Sequence, residues 1–382
     1  MQGILVLEDG HFYRGKLFSR DAVGQGEVVF NTSPTGYQEI LTDPSYAGQI
    51  VVLTTAHVGN YGVNAQDVES ARPRAAGLVV RDYHPTPSNW RSARGLASYL
   101  DDSAIPALTD VDTRALVLHI REGGAVRGVI RPWDDDDPTM PWAGRVADDE
   151  TRTGWRTALL NIVEAARAVP SMAGLDLASQ VTCETSYEVG AADAKWHVVA
   201  MDFGIKRTIV KQLVEVGCRV TVVPASTSAE DILALSPDGV LLSNGPGDPE
   251  PVAYAVQSIR ALLGVVPIFG ICLGHQLLAL ACDGATYKLP FGHRGGNHPV
   301  RELHSGRVEM TAQNHGFAVQ GSSLDGRQVT VTHINLNDDT VEGLRHRRLP
   351  AFSVQFHPEA APGPHDSHHL FERFISMMEA AH

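Results

Sequence analysis

Short apolar and β-branched runs recur through the first part of the chain, at residues 4–7, 27–31, 50–54 and 76–80. Turn formers separate them: Asp9-Gly10, Ser33-Pro34-Thr35-Gly36 and Asp43-Pro44-Ser45. Runs of that length between such turns predict strands. The period then changes. Residues 90–100 read as a helix, and residues 112–121 set Leu116, Val117 and Ile120 at helical spacing. A further helix is predicted over 157–169, where Pro170 stops it.

From residue 197 the pattern alternates. Apolar strands at 197–202, 219–223, 239–243 and 265–271 are separated by amphipathic helices at 206–216, from 228, and at 251–263, with another helix at 274–281. Apolar runs alternating with such helices predict a doubly wound, mostly parallel sheet, with its site at the carboxyl ends of the strands. After Tyr287 strands take over, at 307–311, 328–334, 341–345 and 351–356, and a helix over 367–379 closes the chain. The expected fold class is therefore α/β: a doubly wound C-terminal domain at 195–382, an N-terminal strand-rich α+β domain at 1–150, and a connecting region at 151–194.

Composition narrows the function. The chain has 382 residues, of which 43% are hydrophobic, enough for packed cores. Its net charge of −13 argues against a protein that coats phosphate backbones. The basic run Arg345-His346-Arg347-Arg348 reads as a solvated turn between strands. The longest apolar stretch, 261–281, is interrupted by Gly264, Pro267, Gly270 and Gly274, so no membrane span is expected. The first ten residues lack a basic start and meet Glu8 and Asp9, unlike a signal peptide. A cytoplasmic protein with no nucleic-acid or membrane partner is expected. Asp134-Asp135-Asp136-Asp137 reads as a solvated turn rather than a metal site, and His365, His368 and His369 as a helix start capped by Asp366 or Ser367.

Four cysteines stand at 183, 218, 272 and 282, none in C-x-x-C spacing, which excludes a zinc ribbon or a thioredoxin-type centre. Cys183, Cys218 and Cys282 read as small core hydrophobes. Cys272 does not. In Gly270-Ile271-Cys272-Leu273-Gly274-His275-Gln276 it follows an apolar strand, precedes a helix and has a glycine two residues away on each side. That is the G-x-nucleophile-x-G elbow, which sets the thiol at the positive end of the helix. A cysteine nucleophile needs a base and an orienting group. His357-Pro358-Glu359, after the strand at 351–356, offers both. The loop Ser243-Asn244-Gly245-Pro246-Gly247-Asp248-Pro249 follows another strand. Its N–H groups, with that of Leu273, can form an oxyanion hole, or the loop is an ordinary turn. It has no phosphate-loop signature.

These three segments resemble the class I glutamine amidotransferases from about residue 195 to the end of the chain. The resemblance extends further. Asn31-Thr32-Ser33-Pro34-Thr35-Gly36-Tyr37-Gln38-Glu39, Leu41-Thr42-Asp43-Pro44-Ser45-Tyr46, His57-Val58-Gly59-Asn60-Tyr61-Gly62 and Met172-Ala173-Gly174-Leu175-Asp176-Leu177 are similar to the small chains of carbamoyl-phosphate synthetases. So are the segments from Phe291 to Pro299 and from Gln313 to Phe317, whereas residues 133–147 match least. The resemblance implies that Cys272, His357 and Glu359 hydrolyse glutamine through a γ-glutamyl thioester. It implies that L-glutamine is held by Ser45, Gly245, Gly247, Leu273, Gln276, Asn314, Gly316 and Phe317. It also implies a larger ATP-dependent partner chain that carries ATP and magnesium, none on this chain, and makes carbamoyl phosphate for arginine and pyrimidine synthesis. His293 and His298 are expected to shape a Gly-rich loop; the role of His315 stays open. Two rival readings remain: an amidotransferase serving another synthase or a γ-glutamyl hydrolase, and a non-catalytic module that kept the fold.

Overall fold

A computed structural model describes residues 1–133 and 149–381, so the Asp134–Asp137 run lies outside the described residues. The chain divides into two compact units, 1–42 with 48–172, and 43–47 with 173–382. Residues 151–172 thus belong to the first unit and residues 173–194 to the second.

In the first unit, strands β1 (Gln2–Leu7), β2 (Phe12–Leu17), β3 (Gly24–Asn31), β4 (Gln49–Leu53), β5 (Gly77–Val79), β6 (Ala107–Thr109) and β7 (Val126–Pro132) close a barrel. Its order is β1-β2-β6-β5-β4-β3-β7, with β7 returning to pair antiparallel with β1. Among the described residues, helices α1 (Tyr37–Thr42), α2 (Leu96–Asp102), α3 (Thr113–Gly123) and α4 (Asp149–Ala168) also belong to this unit. Leu116 and Ile120 make the buried stripe of α3, and Asp112 caps it by accepting from the N–H of Ala115. Ile162, Val163 and Ala166 of α4 pack with Ile4, Val6 and Val129. Three strands escape the periodicity argument, β2, β6 and β7. The six-residue β2, FYRGKL, is only half buried, so its pattern is blurred. The helix expected over 90–100 forms only from Leu96; Trp90 is 91% exposed and supplies no buried face.

The second unit carries α5 (Ala178–Val181), β8 (Tyr187–Val189), β9 (Trp196–Asp202), α6 (Arg207–Glu215), β10 (Cys218–Pro224), α7 (Ala229–Ala234), β11 (Gly239–Leu242), α8 (Ala253–Leu262), β12 (Ile268–Ile271) and α9 (Leu273–Ala281). It continues with β13 (Thr286–Glu302), β14 (Val308–Val319), β15 (Val329–Asn335), β16 (Val341–His346), β17 (Ala351–Val354) and α10 (His369–Ala381). Among the described residues these strands form one ten-stranded sheet, ordered β14-β13-β15-β16-β17-β12-β11-β9-β10-β8. The run β17-β12-β11-β9-β10 is parallel, and antiparallel strands flank it on both sides.

Alternation along the central strands builds two cores. Val199 and Met201 of β9 pack with Ile259 of α8 and Leu277 of α9. Val198 and Ala200, pointing the other way, pack with Ile209 of α6 and Phe371 and Phe374 of α10. Helices on both faces make the sheet doubly wound, as the alternating pattern implied.

Two local expectations change. The Gly-rich segment holding His293 and His298 is not a loop but part of the 17-residue β13. Its pairing with β14 skips register near residues 288–293 and 295–298, which is how a strand absorbs so many glycines. Neither side chain proposed as the cap of the last helix caps it: the Asp366 carboxylate accepts from the N–H of Met310, and the Ser367 hydroxyl donates to Glu309.

Candidate active site

The elbow is built as the sequence anticipates. Cys272 follows β12 and starts α9 with φ 54° and ψ −104°, a strained conformation for a residue with a Cβ. Close packing enforces it. A Cβ on Gly274 would stand 2.2 Å from the Leu242 carbonyl oxygen, and one on Gly270 would stand 2.7 Å from that of Gly274. Strand and helix can therefore meet only where both residues are glycine. Cys272 is 1% exposed, and its Sγ lies 3.6 Å from the carbonyl oxygen of Asn314. The N–H of Leu273, at the first position of α9, has no carbonyl within the helix to accept it.

His357 and Glu359 lie just past β17, which pairs in parallel with β12. The N–H of His357 donates to the Ala312 carbonyl, which ties this strand end to β14. His357 Nδ1 lies 2.7 Å from Glu359 Oε1. The other ring nitrogen, Nε2, is buried with no hydrogen-bond partner of normal geometry among the described residues. Burial works against a charged imidazole here, but Glu359 and then Cys272 outweigh it and hold the His357 pKa at about 10.

A second imidazole, His275, is also buried beside the elbow. Its Nδ1 meets the Ser353 hydroxyl at 2.9 Å, and burial pushes its pKa down to about 3, so it stays neutral. The two histidines are thereby distinguished: only His357 is equipped to carry a proton near Cys272.

Lys206 is one member that sequence reasoning missed. Its Nζ lies 2.7 Å from Glu359 Oε1 and donates to the Ala361 carbonyl at 2.5 Å. Burial opposes ionisation of Glu359, but Lys206 and then His357 hold its carboxyl well below the usual range. Lys206 arrives there by a tight turn after β9, in which Asp202 Oδ1 accepts from the N–H groups of Gly204 and Ile205. Its position just beyond a parallel strand's carboxyl end is the one available sequence signal.

The remaining predicted residues gather around the elbow. Gly245 packs against the Phe203 carbonyl and the Leu273 side chain so closely that a Cβ would stand 2.2 Å from the former. Gly247, at φ 82°, lies against Leu177. Residues 43–47 fold with this unit, which places Ser45 with it although it stands so early in the chain. Ser45 Oγ accepts from Asn244 Nδ2 at 2.9 Å, and Asp43 Oδ2 accepts from Asn314 Nδ2 at 2.8 Å. Asp43 and Asn244 are thus further members of this constellation. The Gln276 side chain donates to the Phe317 carbonyl at 2.7 Å and to Gln355 at 3.0 Å. Gly316 lies between Phe317 and His315 on β14, close to the Arg294 guanidinium.

His315 and His293 lie behind this wall. His315 Nδ1 is 2.7 Å from the Phe317 carbonyl, its ring lies edge-on to that of His293, and burial keeps it neutral. His293 is buried, yet Asp338, 2.8 Å away, and Glu342 raise its pKa to about 9.

The other three cysteines are free thiols. Cys218 and Cys282 are buried, as expected, whereas Cys183 is only half-buried: it sits at a sheet margin where its N–H donates to Asp202. Among the described residues no helix is long and apolar enough to cross a membrane.

Known proteins resemble this chain over nearly its whole length. The family model for class-I glutamine amidotransferases matches residues 199–377, and that for the carbamoyl-phosphate synthase small chain CPSase domain matches residues 5–130. The carbamoyl phosphate synthase small chain of Syntrophotalea carbinolica is 54% identical over 99% of this chain and 98% of its own. That of Chlorobaculum tepidum is 52% identical over 98% of this chain and 97% of its own. The pyrimidine-specific small chain of Bacillus subtilis is 48% identical over 99% of this chain and 96% of its own. Over its whole length, from the barrel to the Cys272 elbow, this chain belongs to the carbamoyl phosphate synthase small chain family and carries that family's class-I glutamine amidotransferase domain.

Proposed function

We propose that this chain hydrolyses L-glutamine and passes the ammonia to a larger ATP-dependent partner chain. The observation that carries this reading is the strained Cys272 beside a histidine whose proton is held by a buried Glu359–Lys206 pair. His357 holds the proton that Cys272 gives up, and the sulfur attacks the amide carbon of glutamine. The N–H groups of Leu273 and Gly245 receive the developing oxyanion. His357 returns the proton to the leaving nitrogen as the C–N bond breaks, releasing ammonia and leaving a γ-glutamyl thioester on Cys272. His357 then takes a proton from water, the water oxygen attacks the thioester carbon, and the C–S bond breaks to free glutamate. Glu359 keeps the imidazole oriented and protonated at Nδ1, and Lys206 keeps Glu359 ionised.

Ser45, Gly247, Gln276, Asn314, Gly316 and Phe317 hold the amino-acid end of glutamine. A zwitterion needs both donors and acceptors, which these amides, hydroxyl and backbone groups supply. Free ammonia is largely protonated near neutral pH and then not nucleophilic, so a sheltered route to the partner protects it. The partner would bind ATP, magnesium and bicarbonate and make carbamoyl phosphate for arginine and pyrimidine synthesis in the cytoplasm, in a pairing of one small with one large chain.

The test is Cys272→Ser in the complex with the large chain. Glutamine-dependent synthesis of carbamoyl phosphate is expected to vanish while ammonia-dependent synthesis persists. Glutamine-dependent synthesis at the wild-type rate would overturn the reading. So would a co-purifying synthase with a different product.

A further inference from the structure

Outside the glutamine site, the barrel unit brings three metal-ligating atoms together. His57 follows β4, and Asp82 and His84 follow β5. Backbone pairing locks the two segments side by side: the Val58 N–H donates to the Asp82 carbonyl at 3.1 Å, and the His84 N–H donates to the Val58 carbonyl at 2.8 Å. Val58 is fully buried, and a Cβ on the neighbouring Gly59 would stand 2.6 Å from the His84 carbonyl oxygen. From this frame the three side chains converge. His84 Nε2 lies 2.9 Å from His57 Nδ1, and Asp82 Oδ2 lies 3.5 Å from each of them. All three reach solvent, with side-chain exposures of 62% for His57, 51% for Asp82 and 44% for His84.

We propose that His57, Asp82 and His84 bind one divalent transition-metal cation of the zinc class. Ligand atoms bonded at about 2.05 Å to a tetrahedral ion stand about 3.3 Å apart. The observed edges of 2.9, 3.5 and 3.5 Å bracket that value. Two imidazoles with one carboxylate suit zinc, nickel or copper, whereas magnesium and calcium require an all-oxygen shell. Hydrogen bonding accounts for only part of the arrangement: one imidazole can donate to the other at 2.9 Å, but Asp82 Oδ2, 3.5 Å from each ring nitrogen, is beyond normal hydrogen-bond distance, whereas a shared cation uses all three atoms at once. The cluster Asp9, His11 and His119 shows the contrast. There the carboxylate divides, Oδ1 to His11 at 3.2 Å and Oδ2 to His119 at 2.6 Å, so direct carboxylate–imidazole pairing accounts for the cluster. At the proposed site three protein ligands leave one tetrahedral position for water. The ion would cross-link positions 27 residues apart, and by binding only the folded unit it would raise stability.

The experiment is a titration of the full-length chain with Co²⁺, followed by visible absorption and then competed with Zn²⁺. Wild type is expected to show a saturable tetrahedral cobalt signal that Zn²⁺ displaces. The double variant His57→Ala/His84→Ala is expected to lose one equivalent, with affinity at that site falling at least about 100-fold. His11→Ala/His119→Ala is expected to keep it. His84→Cys guards against misfolding: it should still bind Co²⁺ and add a sulfur-to-cobalt charge-transfer band. Melting temperature should rise with Zn²⁺ in wild type and not in the His57/His84 double variant. Unchanged stoichiometry in that variant, loss of the signal in the His11/His119 variant instead, or no charge-transfer band from His84→Cys would each overturn the proposal.

Discussion

Two thiols stand at the two ends of one helix. Cys272 precedes α9 and Cys282 follows it, and both are buried. The N-terminal end presents unpaired N–H groups and partial positive charge; the C-terminal end presents carbonyls. At Cys282 the chain relaxes into an ordinary turn of φ −96° and ψ 24°, and its N–H satisfies the Leu278 and Ala279 carbonyls. Burial, with Asp283 adding to it, pushes that thiol up to about 11, so it remains a neutral hydrophobe. At Cys272 the backbone is held at φ 54° and the neighbour is a proton-bearing imidazole. The lesson is that burial alone makes a cysteine inert. Reactivity needs a backbone forced to present the sulfur and a partner able to hold its proton.

The largest expected effect follows directly. Cys272→Ala should lower glutamine hydrolysis at least about 10⁴-fold, because members of such a constellation act as a unit. Cys282→Ala should leave kcat within about twofold and cost about 1 kcal/mol of stability. Steady-state kinetics and urea melts on both variants check this. A large rate loss at Cys282 would erase the distinction between the two ends.

The glycines sharpen the comparison next. On Gly274 a Cβ would meet the Leu242 carbonyl oxygen at 2.2 Å and Leu242 Cβ at 2.6 Å, atoms of a central strand that cannot move aside. On Gly284, past the other end of the helix, it would meet Ala279 O and Leu324 Cδ2, both at 2.9 Å; the Leu324 side chain can turn away, and the Ala279 carbonyl, at the last turn of the helix, has far less overlap to relieve than the Leu242 carbonyl at 2.2 Å. Gly274→Ala should therefore cost about 3 kcal/mol and abolish activity, whereas Gly284→Ala should cost about 1 kcal/mol and keep it. Equal losses in denaturant melts would mean that the elbow is not under special constraint.

Lys206 tests what holds the proton. Lys206→Met leaves Glu359 buried without its cation, which should cost about 3 kcal/mol and lower kcat about 10- to 100-fold. Lys206 holds the Glu359 carboxyl down, so its removal should move the acid limb of the rate profile to higher pH. A purely structural lysine would lower stability and leave the limb in place.

What the sequence disclosed follows the range of the interaction. The elbow was legible because glycine, cysteine and glycine lie within five consecutive residues and the clash they avoid is local. His357-Pro358-Glu359 was legible for the same reason. Lys206 was not: its partner Glu359 is 153 residues away, and only the parallel pairing of the sheet brings their strand ends together. Asp43 was hidden similarly, since Asn314 lies 271 residues on. The central strands stood out as unbroken apolar runs because both of their faces are covered. Strand β13 did not, because its glycines and register shifts mimic a loop until β14 pairs with it.

The smallest expected effect isolates the charges around His357. Burial lowers its affinity for a proton, and Glu359 first, then Cys272, raise it to about 10. Glu359→Gln removes the first and Cys272→Ala the second, so both variants should titrate His357 below wild type, and Glu359→Gln further. Nitrogen NMR of labelled imidazoles reads this without needing activity. Stability should follow the same group. A histidine whose folded pKa lies above its unfolded value near 6.5 stabilises the fold fully below that pH and loses its contribution as pH rises towards 10. Wild type should accordingly lose stability across that window, and Glu359→Gln should lose less. If Cys272→Ala leaves the His357 titration unchanged, the thiol does not share its proton with this imidazole, and the contrast between the two ends of α9 would rest on backbone strain alone.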